Sequence, residues 1–172
     1  MLDVRSNPSD AVESALNQFG NDILRLAFSY LKTKEDAEDV VQETLIRFMQ
    51  CGIAFESEQK VKAWLLHVAA NRCKDILKSA AWKKQVAMPE GYDIAAEEER
   101  ESHDEIVEKV LALPEKYRSV IHLFYYEEYS TKEIAEILEK KESTVRSLLR
   151  RARGMIGEQL GDGYQKERRD RS

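Results

Sequence analysis

The residues best suited to chemistry lie between Tyr129 and Arg153, where arginines follow a short segment with helical periodicity. This stretch reads as a short helix, a four-residue turn and a second, arginine-rich helix, the helix-turn-helix pattern. The start of such a second helix can reach base edges in the major groove, and arginines further along can contact phosphates. The candidate DNA-contacting residues are Ser143, Thr144, Arg146, Ser147, Arg150 and Arg151. A helical hairpin with a basic, solvated face remains the alternative on this pattern alone.

The elements that must position these residues are predicted from the same stretch. Residues Ser130 to Glu133 match a capping box, which marks the start of the first short helix. Ile134, Leu138 and Val145 have the spacing of a small core between the two helices. Ser143 is predicted to cap the second helix, which runs to about residue 160.

Two further segments carry polar side chains at helical spacing. From Asp36 to Met49 an apolar stripe is opposed by an acidic and polar one that includes Asp39, Gln42 and Glu43. From Phe55 to Lys78 a basic helix carries aromatic and polar side chains that could stack on and hydrogen-bond an unpaired base. Taken alone, the acidic stripe reads more simply as a solvated face, and the aromatic residues read more simply as core.

The remaining pattern predicts an all-α protein of two small helical domains joined by an acidic linker. The 172 residues contain 7 Gly and 3 Pro, which disfavours β-sandwiches and barrels. Helices are predicted over residues 8–31, from 34 to about 51, and from 57 to about 81, the second after a capping box at Thr33. The predicted domains are residues 8–82 and 102–160, the latter containing the helix-turn-helix, with a linker at 83–101 and a frayed tail at 161–172.

The charge is unevenly distributed along the chain. The formal net charge is -5, yet residues 60–84 sum to +6, residues 140–153 to +5 and the intervening residues 85–108 to -8. Concentrated positive charge can meet a phosphate backbone even on an acidic chain.

Several classes of site find no support in the sequence. The two cysteines form no CxxC and the three histidines are scattered, which predicts no disulfide framework and no metal site. No nucleotide-binding or hydrolase motif occurs, so we expect neither a cofactor nor catalytic residues. No apolar run approaches the roughly 18 residues needed to span a bilayer, and no signal peptide is evident, so a cytoplasmic location is expected.

Three motifs in order resemble the bacterial RNA polymerase sigma factors of the extracytoplasmic-function (ECF) group. They are DAEDVVQETLIRFM, then WLLHVAANRCKDIL on the basic helix, then LPEKYRSVIHLFYYEEYSTKEIAEILEKKESTVRSLLRRAR. The resemblance covers about residues 10–160. It implies a protein that is not an enzyme, that binds core RNA polymerase and the -35 and -10 promoter elements, and that promotes DNA melting.

The resemblance also implies roles for individual residues. Asp39, Gln42 and Glu43 would dock on the clamp helices of the polymerase β′ subunit, and the C-terminal domain would sit on the β flap. The residues matched to -10 recognition are Phe55, His67, Asn71, Lys74 and Lys78. Among these, Phe55 and Asn71 match a pocket for an unpaired base, and the lysines would meet phosphates. The helix-turn-helix arginines and serines would read the -35 duplex, and the acidic linker would thread near the RNA exit path.

Family members are commonly held by an anti-sigma factor, often membrane-bound, so such a partner is implied as well. Two residues depart from the family pattern. Glu139 stands where glycine is common, and a left-handed backbone there would be strained by roughly 1 kcal/mol, so we expect the turn to differ. Leu148 stands where the family often has arginine, so we expect an altered -35 footprint.

The competing hypothesis is a stand-alone helix-turn-helix regulator. Such a protein binds duplex operator DNA without polymerase, usually as a symmetric dimer. No dimerisation helix or ligand pocket is evident in the sequence, which favours the sigma-factor reading.

Overall fold

The computed structural model describes the backbone of residues 4–86 and 105–160, with side chains over 4–81 and 108–157. The chain divides into two compact units, Met1–Glu97 and Glu98–Ser172. All regular elements in the described ranges are helices, which confirms the predicted all-α class. The predicted linker beyond Val86 and the predicted tail lie outside the described residues, as does the expected helix start at residues 102–104. The predicted domain bounds therefore stay a prediction.

The first unit is built from three helices: α1 (Pro8–Leu31), α2 (Lys34–Gln50) and α3 (Glu58–Val86). Helix α1 contacts both of the others, because apolar residues repeat along it at helical spacing. The core side chains are almost fully inaccessible to solvent and come from all three helices: Ala15, Ile23, Leu26, Val40, Phe48, Leu65, Leu66 and Ala69. Helix α3 continues to Val86, past its predicted end near residue 81.

The ends of these helices agree only in part with the predicted caps. Asn7 caps α1 as expected, since its side-chain oxygen accepts from the backbone N–H of Asp10. The capping box predicted at Thr33 is wrong. Its hydroxyl donates to the Asp36 carboxylate at 2.6 Å instead of accepting from the backbone.

The second unit contains α4 (Glu105–Leu111), α5 (Glu115–Ile121), a π-helical turn (His122–Tyr126), α6 (Thr131–Leu138) and α7 (Glu142–Leu160). The buried guanidinium of Arg118 joins the first two, donating to the carbonyl oxygens of Leu111 and Leu113 at 3.3 and 2.7 Å. Burial lowers the pKa of Arg118, and the carbonyl oxygens supply the partners that a buried cation needs.

The helix-turn-helix itself is formed by α6 and α7. The predicted capping box is present, with Ser130 accepting from the Glu133 backbone and the Glu133 carboxylate accepting from the Ser130 backbone. The predicted small core is confirmed, because Ile134 and Val145 are fully buried and Leu138 is 2% exposed. Helix α7 begins at Glu142, so Ser143 lies in its first turn. The prediction that Ser143 caps this helix is wrong.

The turn between α6 and α7 keeps the left-handed backbone that was expected to change. Glu139 has φ 53° and ψ 46°, and its N–H donates to the carbonyl of Ala135. The expectation of a different turn at Glu139 is therefore wrong. The hydrogen bonds and apolar contacts of the two helices outweigh a local strain of about 1 kcal/mol.

Over residues 4–86 and 105–160, the chain has no helix that combines the length and the apolar character needed to cross a bilayer.

Candidate nucleic-acid interface

The acidic stripe of α2 points away from the core. Asp39 and Gln42 are exposed, and Glu43 is partly exposed. The opposite face of the helix is buried, through Ala37, Val40, Val41, Thr44, Leu45 and Phe48. This burial leaves the acidic residues as a solvent-facing surface that a partner can reach.

Glu43 has two charged partners among the described residues. One carboxylate oxygen lies 3.2 Å from Nη2 of Arg47, and the other lies 2.6 Å from Nε of Arg72 on α3. The second pair connects two helices, and both of its side chains are about one-third exposed. Arg72 was not among the candidate site residues, and the contact joins positions too far apart in the sequence for a local pattern to indicate it.

Phe55 lies in the connection between α2 and α3 and is 8% exposed. Its ring centroid lies 5.8 Å from that of Phe48 and 5.9 Å from that of Trp64. The Phe48 and Trp64 rings are also 5.9 Å apart. Such separations are typical of favourable aromatic pairs, so Phe55 belongs to a three-ring cluster that attaches the connection to the core.

The other residues matched to -10 recognition share one face of α3. These are His67, Asn71, Lys74 and Lys78, which follow each other at helical spacing. Lys78 is exposed, and the other three are partly exposed. Nδ2 of Asn71 lies 3.3 Å from Nε2 of His67, so these two side chains are within hydrogen-bonding distance. The structure therefore brings two polar groups and two cations onto one strip of the helix, with Phe55 outside it.

Three arginines of α7, Arg146, Arg150 and Arg151, are exposed, away from the buried face of the helix. Buried positions alternate with exposed ones at helical spacing, the buried ones being Val145, Leu148, Leu149, Ala152 and Ile156. Five of the six candidate DNA-contacting residues are exposed, and Ser147 is partly exposed. Leu148 is 8% exposed and faces the core, so its departure from the family pattern affects packing rather than the exposed basic face.

A feature missing from the sequence-based set is Glu142, the first residue of α7. Its Oε1 accepts from Nη2 of Arg146 at 2.7 Å and from Oγ1 of Thr131 at 3.0 Å. These two hydrogen bonds hold the pKa of Glu142 below its usual value, and the one from Arg146 has the larger effect. The four-residue spacing between Glu142 and Arg146 could have indicated the first contact from sequence, whereas the Thr131 contact depends on the turn.

Arg153 also has a local partner. Its Nε donates to the Tyr125 hydroxyl at 2.6 Å, and its guanidinium lies 5.3 Å from the centre of the Phe124 ring. Arg153 thus ties α7 to the π-helical turn.

The described residues offer no group of three or more His, Cys, Asp or Glu side chains that could hold a metal ion. Cys73 is buried in α3, and this burial raises the pKa of its thiol to about 12. A thiol with so high a pKa is almost wholly protonated at neutral pH and is therefore a poor nucleophile.

Two family models match the chain in the order of its two units. The model described as Sigma-70 region 2 matches residues 16–83, and the model described as Sigma-70, region 4 matches residues 103–156. The ECF RNA polymerase sigma factor SigM of Bacillus subtilis is 32% identical over 152 residues, which cover 83% of this chain and 90% of the relative. The chain belongs to the ECF sigma-factor family.

Further comparisons agree with this assignment. The ECF sigma factor SigW of Bacillus subtilis is 29% identical and is matched over 92% of this chain and 94% of its own. Among solved structures, the sigma factor RpoE in complex with the anti-sigma factor NepR from Bartonella quintana has a TM-score of 0.67 at 20% identity. That alignment covers 88% of this chain and 97% of RpoE.

The fold also resembles CnrH, solved in complex with the cytosolic domain of CnrY. The TM-score is 0.64 at 21% identity, covering 91% of this chain and 92% of CnrH. The two family models and the curated relatives, rather than these structures, show the function: this ECF sigma factor is a transcription initiation factor that acts with core RNA polymerase on promoter DNA. The reading as a stand-alone regulator is not favoured.

Proposed function

We propose that this sigma factor uses three surfaces, one on each of α2, α3 and α7, to bind polymerase, the -10 element and the -35 element. The observation that carries the proposal is the two-sided character of α7. Its apolar residues are buried, while Arg146, Arg150 and Arg151 are exposed on the helix that follows the turn. A helix presented in this way fits the major groove of duplex DNA.

The roles within α7 follow from position along the helix. Ser143, Thr144, Arg146 and Ser147 lie in its first turns, the part that reaches base edges when a recognition helix enters the groove. Arginine can bond guanine through two donors, and serine or threonine can bond several bases. Arg150 and Arg151 lie further along and meet phosphates, which adds affinity without sequence preference.

The α3 surface is proposed to hold the melted -10 strand. The amide of Asn71 and the ring of His67 offer donors and acceptors for the edge of an unpaired base. Lys74 and Lys78 continue the same strip and suit the phosphates of that strand. Phe55 supports the connection before α3 and is also proposed to line the pocket for the unpaired base.

The α2 surface is proposed to bind the polymerase β′ subunit. Asp39 and Gln42 present a carboxylate and an amide to solvent on adjacent turns of a helix whose other face is buried. Glu43 extends this surface and is already partnered by two arginines.

The mechanism needs no catalytic group of this chain. Binding to core polymerase makes contact with the two promoter elements effectively intramolecular, so two modest contacts give high combined specificity. The free chain has a net charge of -5 and is expected to bind naked DNA poorly. Its proposed site of action is the bacterial cytoplasm, and its proposed regulator is an anti-sigma factor, as NepR is for the similar RpoE.

The proposal is tested by run-off transcription with purified bacterial core polymerase on a library of promoter-sized fragments. Start sites that require the protein support it, and sequencing the products defines the -10 and -35 preferences. If polymerase neither bound the protein nor initiated, while the protein alone shifted duplex DNA, the stand-alone regulator would replace it.

Single substitutions in the same assay distinguish the roles of the three surfaces. Asp39→Ala is expected to weaken core binding measured without DNA and to lower transcription from all promoters alike. Arg146→Ala is expected to change only the -35 preference, and Asn71→Ala only the -10 preference. Lys34→Ala, an exposed change in the first turn of α2, serves as the control. A change of the -10 preference by Arg146→Ala would refute the assignment of surfaces.

A further inference from the structure

One carboxylate oxygen joins the starts of both helices of the helix-turn-helix. Oε1 of Glu142 accepts from Thr131, the first residue of α6, and from Arg146, one turn into α7. The distances are 3.0 and 2.7 Å. Thr131 thereby holds the Glu142 carboxylate in place, and the carboxylate in turn holds the Arg146 guanidinium.

This arrangement affects orientation more than it affects stability. The Arg146 side chain is 64% exposed and that of Glu142 is 37% exposed, and ion pairs at such exposure add little to the free energy of folding. Arginine has many accessible rotamers, however, and reading guanine requires its planar fork to lie in one direction. A side chain that is already oriented loses less conformational entropy when it binds.

The charge of Glu142 argues for the same conclusion. An acidic side chain beside a phosphate backbone opposes binding unless a cation compensates for it. Here the compensating cation is Arg146. Its Nη2 donates one of its two N–H groups to the carboxylate, so that the second Nη2 donor and the adjacent Nη1 can bond a base through two donors.

We propose that Glu142 is a positioning residue that sets the -35 base preference through Arg146 without itself contacting a base. This inference rests on the proposed role of α7 at the -35 element. It assigns the specificity of that contact to a chain of three side chains, from Thr131 through Glu142 to Arg146, rather than to the arginine alone.

The test uses the full-length protein with core polymerase and a promoter library randomised over the -35 element. The variants are Glu142→Ala, Glu142→Gln and Thr131→Val, with Glu136→Ala as the matched removal of an exposed glutamate from α6. Glu142→Ala is expected to reduce the preferred-base enrichment at the positions read by Arg146 about two- to tenfold, the cost of immobilising one flexible side chain on binding. Glu142→Gln, which keeps an acceptor, and Thr131→Val are expected to give smaller losses at the same positions.

The decisive comparison is made in the Arg146→Ala background. If Glu142 acts through Arg146, adding Glu142→Ala there leaves the base preference unchanged. A further change would mean that Glu142 reads a base directly, and this would overturn the proposal. A uniform loss of transcription with a lower Tm and an unchanged preference would reduce Glu142 to a structural role and also overturn it.

Failure of this inference can be told from failure of the proposed function. If the unsubstituted protein supports no transcription, the proposed function fails. If it transcribes with a defined -35 preference that Glu142→Ala leaves intact, or that Glu136→Ala alters equally, only the role of Glu142 fails.

Discussion

An ion pair 2.6 Å long joins Glu43 of α2 to Arg72 of α3. It connects the helix proposed to bind polymerase with the helix proposed to hold the -10 strand. Because this pair joins two helices, Glu43 is part of the fold as well as part of the α2 surface. The same carboxylate also pairs with Arg47 within α2. Its neighbours Asp39 and Gln42 point to solvent from the same helix.

The first prediction concerns the structural role of Glu43. We expect Glu43→Ala to lower the free energy of unfolding by less than about 1 kcal/mol, because both partners of the pair are about one-third exposed and screened by solvent. A double-mutant cycle with Arg72→Ala, followed by urea denaturation, should give a coupling that weakens as salt is added. Asp39→Ala is the control, with unchanged stability. Strict additivity of the two changes would show that the pair contributes nothing.

The second prediction concerns the three-ring cluster. Phe55→Ala should destabilise the first unit by about 3 kcal/mol or more, since it removes a buried aromatic ring that contacts two others. The measurement is chemical denaturation without DNA or polymerase. Ile53→Ala, in the same connection but 40% exposed, should change the stability by less than about 0.5 kcal/mol. Unchanged stability of Phe55→Ala would leave base contact as the only role for this ring.

The third prediction contrasts the two sides of α7. Leu148→Ala should cost about 2 kcal/mol or more, because Leu148 is buried between the helices of its unit. Arg151→Ala should leave the thermal midpoint almost unchanged and weaken promoter binding in a salt-dependent way. Thermal denaturation together with promoter binding by the polymerase complex at two salt concentrations distinguishes these effects. The expectation fails if Leu148→Ala alters the -35 preference while leaving stability intact.

The fourth prediction uses the left-handed turn residue. Glu139→Gly should raise the free energy of unfolding by about 0.5 kcal/mol. Glycine adopts a φ of 53° without strain, and its larger unfolded-state entropy offsets about half of that gain. The matched control, Glu136→Gly, lies inside α6 and should lower stability by about 1 kcal/mol. Urea denaturation of both variants gives the two signs directly. A loss of stability in both would show that the Glu139 side chain compensates for its backbone.

The local elements were predicted well because their signals lie close together in the sequence. The bounds of α1, the capping box at Ser130 and the core of the helix-turn-helix follow from residue spacing within a few turns, and the structure agrees. Two predicted caps were wrong. The Thr33 hydroxyl bonds the Asp36 side chain instead of the backbone, and the cap of α7 lies two residues before Ser143. Competing local bonds decide helix ends at this scale.

By itself the sequence determined that the chain is helical, which faces of its helices are apolar, where its charge is concentrated and which family it resembles. Only the tertiary structure decided that Phe55 is buried against Phe48 and Trp64, that Leu148 faces the core and that Glu142 links Thr131 to Arg146. Helical periodicity is a property of neighbouring residues, so it can be read locally. Burial and the choice of partner depend on side chains that are far apart in the sequence. Such side chains come into contact only when the helices pack in the folded state.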